Sequence, residues 1–192
     1  MRCTSPRTVG YQTDGKTLSW SPKNRSKEFA DFQLPCGKCL HCRLEYARSW
    51  AIRCMHEASI HENNIFLTLT YNDDHLGDGR LDYRDFQLFM KKLRKLQNEP
   101  IGFNVVGEYG ERTKRKHWHA IIFNFRPSDS THLYKSDSGH DVSHSSTIER
   151  LWGRGRIEFG SVTLDSANYV SRYSAKKLVH GNDDQHQFHP IS

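Results

Sequence analysis

Long apolar runs are missing from this sequence. The longest, Ala120–Phe123, has four residues, far short of the ~20 that cross a bilayer as a helix. The opening Met-Arg-Cys-Thr-Ser-Pro holds no apolar leader stretch. No segment recurs at the period of roughly 20–50 residues that marks repeat architectures. Acid is not in excess either: 28 Lys and Arg face 22 Asp and Glu, a net charge of +6, and that balance points to a polyanionic partner and away from a membrane. Cysteine is sparse, with five in 192 residues. Without a leader, an intracellular chain with reduced thiols is expected, so these cysteines read as metal ligands or core residues and not as a disulfide framework. A chain of this length holds one domain with a core and an appendage, but not two full domains.

The pattern that is present is α+β. Residues 1–35 are polar and rich in Ser, Lys and Arg, with room for at most one short strand. Leu44, Ala47, Trp50, Ala51, Cys54 and Ala58 recur at three and four, predicting a helix from Leu40 to about His61. Ile65–Tyr71 alternates as a strand. Asp82, followed by Asp85, caps a helix that turns Phe86, Phe89, Met90, Leu93 and Leu96 inward, and Pro100 marks its end. Strands follow at Ile101–Glu108 and Lys116–Phe125. The Ser-, Asp- and His-rich stretch 126–145 reads as a long surface loop. Ser146 and Glu149 form a capping box for a short helix ending at Trp152-Gly153, and Arg156–Val162 is a strand. Asp165 caps a last helix from Ser166 to about His180, closed by Gly181. From residue 65 the order is β-α-β-β-α-β. This is the split βαβ order of a ferredoxin-like or RNA-recognition-motif sheet of four or five antiparallel strands, which places the first and third strands at its centre. The expected division is an N-terminal arm with its helix, 1–62, and a core, 63–192.

The third strand carries His117-Trp118-His119. Side chains alternate along a strand, so both imidazoles leave one face, close enough to share a cation. A short turn brings Glu108 on the preceding strand back beside His117. Two imidazoles and one carboxylate with open positions suit a catalytic divalent metal. Alone, His-x-His is more often a pair of surface histidines, and Glu111 is an alternative third donor. His56-Glu-Ala-Ser-Ile-His61 is rejected as a zinc-protease motif, because i and i+5 do not share a helix face. On the last helix Tyr169 and Tyr173 are i and i+4, one above the other, with Lys176 one turn on. A phenol has a pKa near 10, so a tyrosine nucleophile needs nearby positive charge. A tyrosine pair by itself is more often packing.

Cys36, Cys39 and Cys42 have C-x2-C-x2-C spacing ahead of a helix. Zinc takes four such ligands in a tetrahedron, and Cys3 is the candidate fourth. A zinc clip of this kind would replace the core the arm lacks. For an iron–sulfur cluster the usual fourth cysteine falls at Tyr46, and three reduced cysteines without metal are the plain alternative. Cys54 reads as core.

Taken together, the motifs resemble the HUH superfamily of nucleases and, more closely, the replication initiators of microviruses, small single-stranded DNA bacteriophages. Phe66-Leu-Thr-Leu-Thr-Tyr71 resembles the first motif. His117-Trp-His119-Ala-Ile-Ile-Phe and Gly107-Glu108-Tyr-Gly resemble the metal-binding motif and the source of its third ligand. Tyr169-Val-Ser-Arg-Tyr173-Ser-Ala-Lys176 resembles the two-tyrosine nucleophile motif. Cys36-Gly-Lys-Cys39-Leu-His-Cys42 resembles the amino-terminal region of the phage proteins.

The resemblance implies an HUH endonuclease fold with helices on one side of the sheet, nicking of single-stranded DNA with a magnesium or manganese ion, and a 5′-phosphotyrosine that starts and ends rolling-circle replication. Thr68, Thr70, Tyr71, Arg172 and Lys177 are the implied DNA contacts. No Gly-x-x-x-x-Gly-Lys-Ser/Thr loop occurs, so a host helicase is expected alongside a polymerase, with the protein acting as a monomer in the cytoplasm of a bacterial host. The chain ends soon after the tyrosine helix, so a longer natural protein is expected. The competing expectation is a non-catalytic RNA-recognition-motif-like module that displays Phe66, Tyr71 and Trp118 for base stacking.

Overall fold

Alternation along four strands decides which side chains meet. The structure, a computed structural model, describes residues 3–110, 112–176 and 188–189. It divides into two compact units, Met1–Tyr46 and Ala47–Ser192.

In the first unit, β1 (Arg7–Tyr11), β2 (Leu18–Ser19) and β3 (Phe32–Leu34) form a small antiparallel sheet in the order β2-β1-β3. Three strands replace the single one expected. They are too short to show a period, and their core is only Val9 and the rings of Tyr11, Phe29 and Phe32. Arg25 ties the unit together, pairing with Asp31 and donating to the carbonyls of Thr8 and Trp20.

Helix α1 spans Leu40–Ser59. In the second unit follow β4 (Asn64–Thr70), α2 (Tyr83–Leu93), β5 (Gly102–Tyr109), β6 (Lys116–Phe123), β7 (Thr131–Lys135), β8 (Asp141–His144), α3 (Ser146–Trp152), β9 (Ile157–Gly160), α4 (Leu164–Lys176) and β10 (Phe188–His189). The sheet order is β10-β5-β6-β4-β9-β8-β7, with every pairing antiparallel. The strands β4 and β6 are therefore central, as their positions in the βαβ order imply. Seven strands stand where four or five were expected. The stretch read as a loop forms the β7–β8 hairpin. Its outer strand is exposed throughout, so backbone pairing and the Tyr134–Glu158 hydrogen bond hold it, and neither leaves an apolar pattern.

Odd positions of β4 (Ile65, Leu67, Leu69) and even positions of β6 (Trp118, Ala120, Ile122) bury against Phe86, Phe89, Met90 and Leu93 of α2 and Ile148 and Trp152 of α3. Each fully buried large side chain of this kind stabilises by roughly 1.5–3 kcal/mol. The opposite face packs Val106, Ile121 and Phe123 against Ala51 and Cys54 of α1 and Ala167 and Val170 of α4. Helices thus cover both faces, correcting the one-sided expectation; the small residues of α1 and α4 allow that second layer. Asp82 caps α2, donated to by the Arg84 N–H. For α3 the cap is Ser145, one residue earlier than expected, and Gly153 closes it at φ 64°. Thr163 and Ser166 exchange hydrogen bonds at the start of α4 in place of an Asp165 cap. Its expected end near His180 and Gly181 falls outside the described residues. Among the described residues no helix is long and apolar enough to cross a membrane.

Candidate metal centre and tyrosine site

The face of β4, β5 and β6 that meets α4 carries the polar residues. Register places them: Glu108 lies directly across from His117, Thr68 from His119, and Thr70 from His117. Glu108 Oε2 is 3.8 Å from His117 Nε2 and 3.6 Å from His119 Nε2. One donor atom from each of the three residues lies within 4.8 Å of the others. The remaining imidazole nitrogens are engaged. His117 Nδ1 is 3.1 Å from the Arg115 carbonyl, which accepts, so Nδ1 carries the proton and Nε2 is left with a free lone pair. His119 Nδ1 is 3.0 Å from Thr68 Oγ1, which holds that ring the same way round. Outer partners of this sort orient metal-ligating histidines.

Charge also suits a cation. Burial, then the neighbouring His117, lowers His119 to a pKa of about 4, so it is neutral at physiological pH. Burial raises Glu108, but hydrogen bonding from His117 and Tyr173 and the nearby imidazoles outweigh this and leave it below the ordinary carboxylate value. A neutral imidazole beside an ionised carboxylate is the protonation state that ligation requires. Glu111, the alternative donor, is outside the described residues.

Tyr169 projects from α4 into this cluster. Its hydroxyl donates to Glu108 Oε2 at 3.2 Å and lies 3.5 Å from His119 Nε2. The Tyr173 ring is 4.7 Å from that of Tyr169. Phe66 stacks on His119 at 5.7 Å. Burial, then the charge of Glu108, raises the Tyr169 phenol above its ordinary value. Lys176 ends α4, and its side chain, like Lys177, is outside the described residues.

The implied DNA contacts separate. Arg172 is exposed. Thr70 is half-buried and donates to the Arg156 carbonyl. Thr68 supports His119. Tyr71 is corrected: it lies on the other face, 3 % exposed, donating to Asp85 and accepting from the Trp118 indole. Trp118 is fully buried, so neither ring is displayed for stacking. Two supports escaped the sequence reading. One is Thr68 as the partner of His119. The other is Gly107, where a Cβ would come within 2.7 Å of both Leu81 and the Trp118 ring. The Gly-Glu pair offered a signal for the second, since a residue without a side chain beside a ligand marks a close approach.

In the first unit the sulfurs of Cys3, Cys36, Cys39 and Cys42 lie within 4.8 Å of one another. The Cys36–Cys42 and Cys3–Cys39 separations are both 3.9 Å, against about 3.8 Å for a tetrahedron with metal–sulfur bonds of ~2.3 Å. The Cys39 and Lys38 N–H groups point at Cys36 Sγ and lower its thiol. Burial and the other three sulfurs push Cys42 upward to about 12. Four thiolates this close require a cation. Cys54, by contrast, is buried beside the Asn104 amide.

An antiparallel sheet that presents two imidazoles and a carboxylate to a tyrosine-bearing helix is a site for a divalent cation with a hydroxyl nucleophile beside it. The chain belongs to the replication-associated protein ORF2 family, whose match covers residues 64–178. It is 50% identical over 199 aligned positions to the replication-associated protein VP4 of Bdellovibrio phage phiMH2K, covering 100% of this chain and 63% of that one. It is 38% identical to the replication-associated protein ORF4 of Chlamydia phage 1, over 82% of this chain and 41% of the relative. Against the replication-associated protein ORF2 of Spiroplasma virus 4 it is 36% identical, over 76% of this chain and 48% of the relative. The chain therefore spans roughly half of the length of these relatives. No solved structure matches it.

Proposed function

We propose that this chain is the nicking part of a phage replication initiator of the HUH type, which cuts single-stranded DNA at an origin by transesterification. The observation that carries the reading is the convergence of the Tyr169 hydroxyl on Glu108 and His119, 3.2 and 3.5 Å away. Glu108, His117 and His119 would hold one magnesium or manganese ion, which when bound supplies positive charge to the scissile phosphate and the attacking phenol. The phenolic oxygen attacks phosphorus. The new O–P bond replaces the P–O3′ bond, the 5′ phosphate stays on tyrosine, and the 3′ oxygen leaves as a hydroxyl after taking up a proton. One phosphodiester is exchanged for another, so no external energy source is needed, and a polymerase can extend the freed hydroxyl. Tyr173 supplies the second nucleophile for the terminating cut, with Lys176 stabilising charge at the phosphate and Arg172 and Lys177 holding the strand. A host helicase opens the duplex. The protein acts as a monomer in the bacterial cytoplasm, and Cys3, Cys36, Cys39 and Cys42 hold a structural zinc.

The test is denaturing electrophoresis after incubation with labelled single-stranded origin DNA and magnesium or manganese. A covalent protein–DNA band is expected from the wild type and none from His119→Ala, whose DNA affinity should persist because it comes mainly from Lys and Arg contacts to phosphate. If the wild type forms no such band in either metal, the reading fails and a non-catalytic binding module takes its place.

A further inference from the structure

A cavity of about 440 Å³ opens beside the tyrosine site, between β4, β9, the β7–β8 hairpin and the start of α4. That is within the ~300–1,000 Å³ of ordinary ligand pockets. It shares Phe66, Thr68 and Tyr169 with the metal centre, so whatever lies at the tyrosine hydroxyl continues into it. Resting on the nicking reading, we infer that this cavity receives the nucleobase adjoining the scissile phosphate, and that Glu158 selects a base bearing an exocyclic amino group over thymine.

The chemistry of the walls favours a base over a phosphate. Neither lysine nor arginine lines the cavity, while Asp141, Glu158 and Asp165 do, so a phosphodiester is repelled and a neutral ring is not. Phe66 and Tyr169 offer aromatic surface, their rings 6.3 Å apart at 75°, and base–aromatic stacking tolerates any base. Discrimination must therefore come from a polar group of fixed position. Glu158 is half-buried on β9, directly across from Thr68. The Tyr134 hydroxyl donates to its Oε2 at 2.9 Å, and its Oε1 has no hydrogen-bond partner among the described residues. A carboxylate only accepts. It matches the amino groups of cytosine, adenine and guanine, while the two carbonyl oxygens of thymine oppose it. Tyr134 thus acts as a positioning residue, holding the carboxylate in place from the hairpin.

Selection from a fully randomised single-stranded DNA library tests this, with strands recovered separately by filter retention and by covalent attachment. The wild type should deplete thymine about tenfold at one position beside the cut, within the discrimination expected of a good polar contact to a base edge. Glu158→Gln, whose amide also donates, should restore thymine there and leave every other position unchanged. Tyr134→Phe should weaken the same preference without reversing it. Identical base profiles for the wild type and Glu158→Gln, in whichever pool is recovered, overturn the inference, as does a wild type that retains no strand at all. Retention with the expected profile but without attachment refutes the nicking reading and leaves the base pocket standing.

Discussion

Replacing Thr68 with valine removes one oxygen from the metal centre and touches none of its three candidate donors. In the native protein that oxygen is 3.0 Å from His119 Nδ1, and His119 is only 9% exposed, so water cannot readily take its place. A buried polar group left without its partner costs about 1–3 kcal/mol. The ring can avoid that cost only by turning, which moves Nε2 away from Glu108. Either route weakens cation binding, and loss of an outer partner of a ligating histidine lowers metal affinity or activity by ~10–100-fold. At about 1.4 kcal/mol per factor of ten, the structural cost and the functional loss agree. The assay is a manganese titration of metal-free protein by calorimetry, paralleled by the manganese dependence of nicking. Thr68→Val should raise both half-saturation points by about ten- to a hundredfold, on the scale already given for outer partners, while Thr68→Ser, which keeps the hydroxyl, stays near the wild type. A folded Thr68→Val protein with unchanged manganese affinity would show that this hydrogen bond does not orient His119, and the reasoning would be wrong.

Four further outcomes follow from the same geometry. Each single phenylalanine variant of Tyr169 or Tyr173 should keep some covalent attachment and the double variant none, read on the denaturing gel; full loss in one single variant with none in the other rules out alternation. Protein purified without added metal should contain about one zinc per chain by elemental analysis, and Cys39→Ser should lose it. Gly107→Ala forces a methyl against the Trp118 ring and should cost about 1–3 kcal/mol in urea unfolding, the usual range for overpacking. Asp129 is held below the ordinary carboxylate value, first by the Ser145 hydroxyl, and also accepts from the Thr147 N–H at the start of α3. A lowered carboxylate stabilises the fold above its unfolded value and loses that contribution as pH falls through its folded one. Asp129→Asn should therefore be less stable by about 1 kcal/mol at neutral pH, the scale of a helix cap, and its difference from the wild type should shrink below about pH 4, the unfolded carboxylate value.

Much of the second unit could be read from periodicity. Ile65, Leu67 and Leu69 alternate along β4, and the same period placed His117 and His119 on one face, beside Glu108 of the neighbouring strand. The spacing of Tyr169 and Tyr173 likewise fixed a shared helix face. What could not be read lacks an apolar signature. The β7–β8 hairpin is exposed on its outer strand and held by backbone bonds and the Tyr134–Glu158 contact, so its composition resembles that of a loop. The first unit builds three short strands around Val9, with too few buried positions to make a period. The second helical layer depends on Ala51, Cys54 and Ala167, residues too small to stand out in a hydrophobic pattern. Thr68 was read as a DNA contact because its role depends on register across strands about fifty residues apart, which no local pattern reveals. Tyr71 was misplaced for a related reason: it continues the buried side of β4, where its hydroxyl is satisfied by Asp85 and Trp118.

The pairing of Gly107 with Trp118, described above as a close approach, also acts as a check on assembly. A slip of β6 by one residue would turn both imidazoles into the apolar side and bring Trp118 out of it. The indole would leave its slot over Gly107, and two polar rings would be buried without partners. Such a misalignment destroys the core and the cation site together, so no stable fold with scrambled ligands competes with the native one. The turn at 110–115 can then vary in length without disturbing the chemistry, because the strands themselves set the alignment. The donors of the second unit are thus assembled by packing before any cation arrives, whereas the thiols of the first unit depend on a cation to offset their mutual repulsion.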